Sequence, residues 1–193
     1  MERLYSYKMS HDNRFAPNPF FDVLTLATCK PLLRKNAKVG DWIAGWTSRK
    51  IAHSPTPVGE EKLIYLAQVS EKLTFAEYWE KYPQKRPVFT DDTKVNERYG
   101  DNLYKPVEGG YEQVRNVHHG ENKMAKDLRG QYVLVCRKFY YFSCLNPLEI
   151  PSELRPRVPK GQHPTGCITE DSSTFAFIRY VSENSDKCYA KGV

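Results

Sequence analysis

The sequence has no apolar stretch long enough to cross a membrane. Its longest apolar runs, at residues 132–136 and 139–142, are far shorter than the roughly 20 residues that a membrane-spanning helix requires. The first fifteen residues carry charged and polar side chains, whereas a secretory signal peptide needs an uninterrupted apolar segment. We therefore expect a cytoplasmic protein that does not enter a membrane.

The spacing of the cysteines suggests no disulfide pairs. The 193 residues include five cysteines and no Cys-x-x-Cys motif. An odd number of cysteines without paired spacing is typical of reduced thiols and not of a disulfide framework. The spacing of cysteine and histidine matches no standard zinc pattern, so we expect no metal site.

Several common functional motifs are also missing. The chain has no phosphate-binding glycine loop, no dinucleotide-binding fingerprint, and neither a His-Glu-x-x-His nor a Gly-x-Ser-x-Gly motif. Their absence excludes the common ATP-binding, dinucleotide-binding, metalloprotease and hydrolase interpretations, and we expect no cofactor. Zinc fingers and basic zippers are absent as well, and no internal repeat indicates a solenoid.

The charge of the chain is positive. Lysine and arginine number 29 against 23 aspartates and glutamates, which gives a formal net charge of +6. Positive potential concentrates phosphate-bearing ligands, so a nucleotide or a nucleic acid, DNA in particular, is the expected partner. The alternative is that this charge serves solubility alone.

Local patterns predict an α+β fold. Segments of alternating or continuous apolar character predict strands at residues 3–9, 42–46, 63–69 and 130–142, and a strand or a short helix at 23–29. Thr74 as N-cap with Glu77 three residues later predicts a short amphipathic helix that ends at Pro83. Residues 84–123 are poor in aliphatic side chains and predict a long functional loop, whereas residues 172–182 favour a helix.

Together these elements predict one domain over residues 1–193. Its fold is expected to be a small curved β-sheet or barrel with short peripheral helices and long loops.

Six blocks of the sequence occur in the order of a known family. They are APNPF (16–20), TLATCKP (25–31), KVGDWIAGWTS (38–48), LTFAEYW (73–79), YGDNLY (99–104) and KFYYF (138–142). In these blocks the chain resembles the second type of the nucleotide-modification-associated domain family. The resemblance implies a link with DNA base modification in bacteria and phages, and it leaves the reaction open.

A looser likeness concerns the fold. A Val-Gly-Asp turn beginning at Val39, followed by a strand at 63–69 and a short helix, looks like the pattern of PUA-like domains, which include the EVE and YTH modules. That likeness implies a small β-barrel, and several such domains hold a flipped or modified base in an aromatic pocket.

Two tryptophans on one predicted strand are the first candidates for base binding. Trp42 and Trp46 lie four residues apart and therefore point to the same face of a strand. On an open face their indoles would stack on a base, and Thr47 and Ser48 would add polar contacts. The alternative is that both indoles are core aromatics.

Polar residues of the long predicted loop are further candidates. Asp101 and Asn102 are typical of a turn, but carboxylate and amide groups also read base edges, and Tyr104 completes the same block. The adjacent His118 and His119 would diverge on a strand, so a solvent-facing position or a phosphate contact is expected from them and not a shared metal ion. One of the two is also a candidate general base.

The block TLATCKP contains a candidate nucleophile. Cys29 precedes Lys30, and a thiolate is favoured beside a cation; a buried structural cysteine is the alternative. Lys30 and the proline-flanked Asn18 are candidates for phosphate contact. Tyr141, in the late aromatic cluster, is a candidate pocket residue.

These observations lead to the hypothesis of a protein that binds a nucleotide or a modified base in an aromatic pocket, as part of DNA modification. Two alternatives stay open. The chain is an enzyme of a base-modification pathway that acts through His118, His119, Asp101 or Cys29, or it is a phage or anti-defence protein that sequesters a nucleotide or a protein partner. Turnover of a nucleotide substrate would separate the first alternative from pure binding.

Overall fold

The computed structural model describes residues 3–52, 61–161, 163, 165–170 and 173–192. Its strands are β1 (Leu4–His11), β2 (Leu24–Leu26), β3 (Trp42–Ala52), β4 (Leu63–Gln68), β5 (Glu71–Thr74), β6 (Tyr104–Val107), β7 (Gly110–Gln113), β8 (Tyr132–Cys136), β9 (Phe139–Tyr141), β10 (Cys167–Thr169) and β11 (Ala190–Gly192). Its helices are α1 (Pro31–Asn36), α2 (Phe75–Lys81), α3 (Val95–Arg98), α4 (Met124–Leu128) and α5 (Ser173–Glu183). Short 3-10 turns lie at Pro83–Lys85, Glu121–Lys123, Ser152–Leu154 and Ser185–Lys187. The α+β class predicted from the sequence is confirmed.

Most strands belong to two sheets. The larger sheet is mixed and has the order β10-β1-β3-β4-β9-β11, in which β1 and β3 are parallel and the other neighbours antiparallel. The smaller sheet is antiparallel, with β8 between β2 and β5. The strands β6 and β7 form a separate hairpin.

The larger sheet is open in the part of the chain that the structure describes. Its edge strands, β10 and β11, pair only with β1 and β9 respectively among these strands. The curved-sheet alternative therefore describes these residues better than a closed barrel does, and the PUA-like architecture stays a prediction.

Apolar side chains fill the space between the sheets and cover both outer faces. Tyr5 and Tyr65 of the larger sheet pack with Leu134 of the smaller sheet in a central cluster. On the outer face of the larger sheet, Trp46 packs against Phe177 of α5. On the outer face of the smaller sheet, α2 and the segment that leads to Tyr104 cover Val133 and Val135.

The predicted helix after β5 is confirmed at its first turn. The Thr74 hydroxyl accepts a hydrogen bond from the Glu77 backbone N–H at 3.2 Å, and the Glu77 carboxylate accepts one from the Thr74 N–H at 2.7 Å. This reciprocal capping box satisfies two N–H groups that a helix start leaves unpaired. The last predicted helix is confirmed as α5, although Ser172 lies outside the described residues.

The predicted long loop at residues 84–123 contains more regular structure than expected. It includes α3 and the hairpin of β6 and β7, so the prediction of little regular structure was wrong. Tyr104 is the one buried residue of the two hairpin strands. Since the other positions are exposed or half-buried, the hairpin lacks the apolar alternation that predicts a strand.

Among the helices that the structure describes, none combines the length and the apolar character needed to span a membrane.

Candidate functional site

Cys29 lies on an unusual turn between β2 and α1. Cys29 and Lys30 have φ angles of 58° and 40°, in the left-handed region that side chains other than glycine rarely adopt. Pro31 then begins α1, because its fixed φ suits a first helical turn. Backbone strain of this kind concentrates at functional positions. The Cys29 side chain is exposed at the protein surface.

Cys29, His119 and Asp127 form a chain of polar contacts. The Sγ atom of Cys29 lies 3.8 Å from Nε2 of His119, and Nδ1 of the same ring lies 2.9 Å from Oδ2 of Asp127. The other carboxylate oxygen, Oδ1, accepts the backbone N–H of Cys29 at 2.9 Å. A thiol, an imidazole and a carboxylate in this order are the arrangement of cysteine nucleophiles activated by a histidine.

The imidazole is held in place by its neighbours. The backbone carbonyl of His119 accepts hydrogen bonds from the side chains of Gln113 and Asn116, both at 2.8 Å. The Phe15 ring packs against the His119 ring at a centroid distance of 4.9 Å. The His119 side chain is consequently only 13% exposed, and the Asp127 side chain 2%.

The charges of the histidine and the carboxylate support each other. Burial by itself would lower the pKa of His119, but the hydrogen bonds with Asp127 and Cys29 outweigh it and raise this pKa to about 9. Burial would raise the pKa of Asp127, yet the hydrogen bonds from His119 and Tyr104 lower it overall. At neutral pH the pair is therefore an imidazolium and a carboxylate.

A buried arginine fastens the turn to α4. Nε of Arg34 donates to the Cys29 carbonyl at 2.8 Å, Nη1 to the Tyr132 carbonyl at 2.6 Å, and Nη2 to the Asp127 carbonyl at 2.6 Å. Burial lowers the pKa of Arg34 to about 10, so the guanidinium is protonated at neutral pH. A Cβ at Gly130 would lie 2.6 Å from the guanidinium carbon, which explains why glycine stands there.

Tyr104 completes the surroundings of the carboxylate. Its hydroxyl donates to Oδ2 of Asp127 at 2.8 Å, and burial together with this carboxylate raises the pKa of Tyr104. His118 turns away from Cys29: its Nδ1 lies 3.1 Å from the Asn13 side-chain amide, and its ring contacts Tyr99. Of the two predicted histidines, His119 is thus the one that contacts the thiol.

Three other predicted residues belong to a buried polar network behind this site. Nζ of Lys85 donates to the Asn18 side-chain oxygen at 2.7 Å, and the Asp101 carboxylate accepts from the hydroxyls of Thr25 and Tyr78, both at 2.7 Å. Asn102 donates to the Tyr78 carbonyl at 3.0 Å. Since Asn18 and Asp101 are fully buried and Asn102 is 2% exposed, they join α2 to the smaller sheet and do not face an open cleft.

The remaining predicted residues lie on the larger sheet, away from Cys29. Trp42 and Trp46 are buried on the face that α5 covers, where Trp46 stacks on Phe177 at a centroid distance of 5.7 Å. Both indoles therefore match the core alternative. The Thr47 hydroxyl accepts the Lys62 N–H at 3.0 Å, and Ser48 is half-buried.

Tyr141 also has an internal partner. Its hydroxyl donates to the carboxylate of the buried Asp12 at 2.5 Å. The predicted residues thus fall into separate groups, and the single aromatic cleft expected from the sequence is not assembled by Trp42, Trp46 and Tyr141 in this structure.

Sequence reasoning assigned no role to Asp127 or Arg34. Both are charged residues in short helices, and such residues usually lie on solvated surfaces. Arg34 lies five residues after Cys29, but no motif indicated that contact. No local spacing connects Asp127 with Cys29, because their contact spans 98 residues. Within the part of the chain that the structure describes, no group of three or more histidine, cysteine, aspartate or glutamate side chains has the geometry of a metal site.

A family model matches almost the whole chain. The model described as nucleotide modification associated domain 2 matches residues 1–192. Neither a curated protein nor a solved structure matches the chain.

Proposed function

We propose, because this chain belongs to the nucleotide modification associated domain 2 family, that it is a cysteine-dependent enzyme of a nucleotide-modification system. The family membership confirms the resemblance drawn from the sequence blocks and supports a role connected with DNA modification. The contact between Cys29 and the His119–Asp127 pair is the observation on which the catalytic proposal rests.

The reaction class that this geometry supports best is acyl transfer. The Cys29 thiolate attacks an acyl carbon of the substrate, a carbon–sulfur bond forms, and the bond from that carbon to the leaving group breaks. The His119 imidazolium gives its proton to the leaving group, which departs neutral. The reacting sulfur and the proton donor are already within 3.8 Å.

The second half of the reaction returns the enzyme to its first state. Neutral His119 accepts a proton from an incoming amine or water, which attacks the thioester carbon. The carbon–sulfur bond breaks, and the thiolate and the imidazolium are restored. Asp127 orients the ring through Nδ1 and stabilises its positive charge throughout.

The proposed substrate is a nucleotide or a modified base, in DNA or free, that carries the acyl group or the accepting amine. Family membership and the net charge of +6 support this choice. Base binding between Trp42 and Trp46 is not part of the proposal, because both indoles are occupied by core packing.

The reactivity of Cys29 provides the first test. In native protein at pH 7, iodoacetamide is expected to alkylate Cys29 roughly ten times faster than the same cysteine in urea-unfolded chain, because an imidazole within contact distance of a cysteine sulfur activates it as a nucleophile. Peptide mass spectrometry resolves Cys29 from the four other cysteines. His119→Asn should remove most of the acceleration, whereas the matched variant His118→Asn should retain it.

Equal alkylation rates in native and unfolded protein would rule out an activated thiol. Turnover is tested separately by incubating the protein with oligonucleotides that carry acylated or amine-bearing bases and analysing the nucleosides by mass spectrometry. A product made by the wild type and not by Cys29→Ala would support the enzyme. A bound but unchanged oligonucleotide would favour a reader of modified bases.

A further inference from the structure

Two lysines are direct chain neighbours of the proposed nucleophile, Cys29, and of the carboxylate, Asp127. Lys30 follows Cys29, and Lys126 precedes Asp127. The hydrogen bond of 2.9 Å from the Cys29 N–H to the Asp127 carboxylate brings these two chain segments together. Burial is the main cause that lowers the pKa of Lys30; the nearby Cys29 raises it, and the charge of the nearby Lys126 lowers it further.

The Lys30 ammonium has a defined position. Its Nζ atom lies 4.7 Å from the centroid of the Tyr7 ring and donates to the His163 carbonyl at 3.1 Å. An aromatic face and a carbonyl attract an ammonium without neutralising its charge. Tyr7 is itself fixed in the core, because its hydroxyl lies 2.8 Å from that of Tyr65.

The carboxylate of the site does not cancel these charges. Asp127 is paired with the His119 imidazolium and accepts further hydrogen bonds from the Cys29 N–H and the Tyr104 hydroxyl. The site has more positive groups than this one carboxylate: they are Lys30, Lys126, Arg34 and the His119 imidazolium. The surroundings of the exposed Sγ atom are therefore positive, and positive potential beside a reactive group concentrates anionic reactants.

We infer that Lys30 and Lys126 form an anion subsite beside Cys29 that binds a phosphate group of the substrate. Lysine is a common point-charge ligand of phosphate. This inference rests on the proposed function and adds to it: the reacting acyl group would lie next to a phosphate, as in a nucleotide, and not in a neutral amide.

The test compares a charged and a neutral thiol reagent. Iodoacetate and iodoacetamide alkylate the same sulfur, so the ratio of their rates at Cys29 reports the local charge. At low ionic strength, Lys30→Gln and Lys126→Gln should each lower the ratio of iodoacetate to iodoacetamide roughly threefold or more. Lys105→Gln, which removes an exposed lysine on the β6–β7 hairpin, is the matched control and should leave the ratio unchanged.

Competition identifies the anion. Inorganic phosphate, and a deoxynucleoside monophosphate more strongly, should slow iodoacetate labelling of the wild type and lose this effect in Lys126→Gln, whereas the deoxynucleoside without phosphate should not compete. The inference is overturned if the two site variants and Lys105→Gln give the same ratio, or if phosphate never competes. The iodoacetamide rate by itself reports the reactivity of Cys29. Failure of the anion subsite would therefore change only the rate ratio and the competition, whereas failure of the proposed nucleophile would appear as a slow iodoacetamide reaction.

Discussion

Replacing Arg34 with methionine is expected to lower the free energy of unfolding by about 3 to 5 kcal/mol. The substitution keeps an unbranched, flexible side chain but leaves the carbonyls of Cys29, Asp127 and Tyr132 without the donors that now reach them at 2.6 to 2.8 Å. Each buried acceptor without a partner costs about 1 to 3 kcal/mol. The variant no longer has to bury a charged guanidinium, and this offsets part of the loss. Denaturation in urea, followed by circular dichroism, measures the loss.

The matched control for this experiment is Arg129→Met. Arg129 is exposed beside α4, and substitutions at such positions usually change stability by less than about 0.5 kcal/mol. A loss below about 1 kcal/mol in Arg34→Met would show that the three hydrogen bonds do not stabilise the turn.

Gly130 offers a second measurement of the same interaction. A Cβ at position 130 would lie 2.6 Å from Nη1 and 2.7 Å from Nη2 of Arg34, so Gly130→Ala should displace the guanidinium from its acceptors. The double variant should then lose less unfolding free energy than the sum of the losses in Gly130→Ala and Arg34→Met. We expect this difference, the coupling energy, to be roughly 1 kcal/mol or more. If the two losses in unfolding free energy are additive, the methyl group at position 130 does not act through Arg34.

The second large effect concerns pH. The pKa of His119 is raised to about 9 in the folded protein, from 6.5 in the unfolded chain. The folded protein therefore binds this proton more tightly than the unfolded chain does. The stabilisation that results is fully present below about pH 6.5 and is lost as the pH rises through 9. A shift of this size corresponds to about 3 kcal/mol. The difference in unfolding free energy between wild type and His119→Asn should shrink by this amount between pH 6 and pH 10.

The comparison with the variant is needed because Lys85 has the opposite effect. Burial lowers the pKa of Lys85 to about 7 from its ordinary value of 10.5, so its contribution makes the protein more stable as the pH rises from 7 to 10.5. This contribution is common to the wild type and His119→Asn and cancels in their difference. His11→Asn, at the exposed end of β1, controls for the loss of a histidine from the unfolded chain.

A difference that stays constant from pH 6 to pH 10 would contradict the ion pair of His119 and Asp127. It would also weaken the catalytic proposal, since the mechanism starts from an imidazolium. The two predictions separate two roles: Arg34 holds the turn in position, whereas Asp127 and His119 control its charge.

Much of the secondary structure could be predicted from local patterns. Thr74 and Glu77 form the expected capping box because both partners lie within one helical turn. Strands β1, β3 and β4 follow from apolar segments whose side chains pack on both faces of a central sheet. The hairpin of β6 and β7 could not be found in the same way, because its positions other than Tyr104 are exposed or half-buried and carry no apolar periodicity.

The candidate site was predictable in its parts and not in its assembly. Cys29, Lys30 and His119 were each singled out by residue type and by their neighbours. The pairing of Cys29 with His119 spans 90 residues, and hydrogen bonds over such a separation leave no periodic pattern in a sequence. The tryptophans show the converse: their spacing defined one face of a strand, but α5 covers that face.

By itself the sequence determined the α+β class, the family, the positive charge and the identity of a thiol beside a lysine, because composition, short-range patterns and block order carry this information. Only the tertiary structure decided which histidine contacts the thiol, which carboxylate orients that histidine and which side chains lie in the core. These outcomes depend on how the smaller sheet, α1 and α4 pack. That packing places Asp127 beside the turn at Cys29, from which it is 98 residues away in the chain.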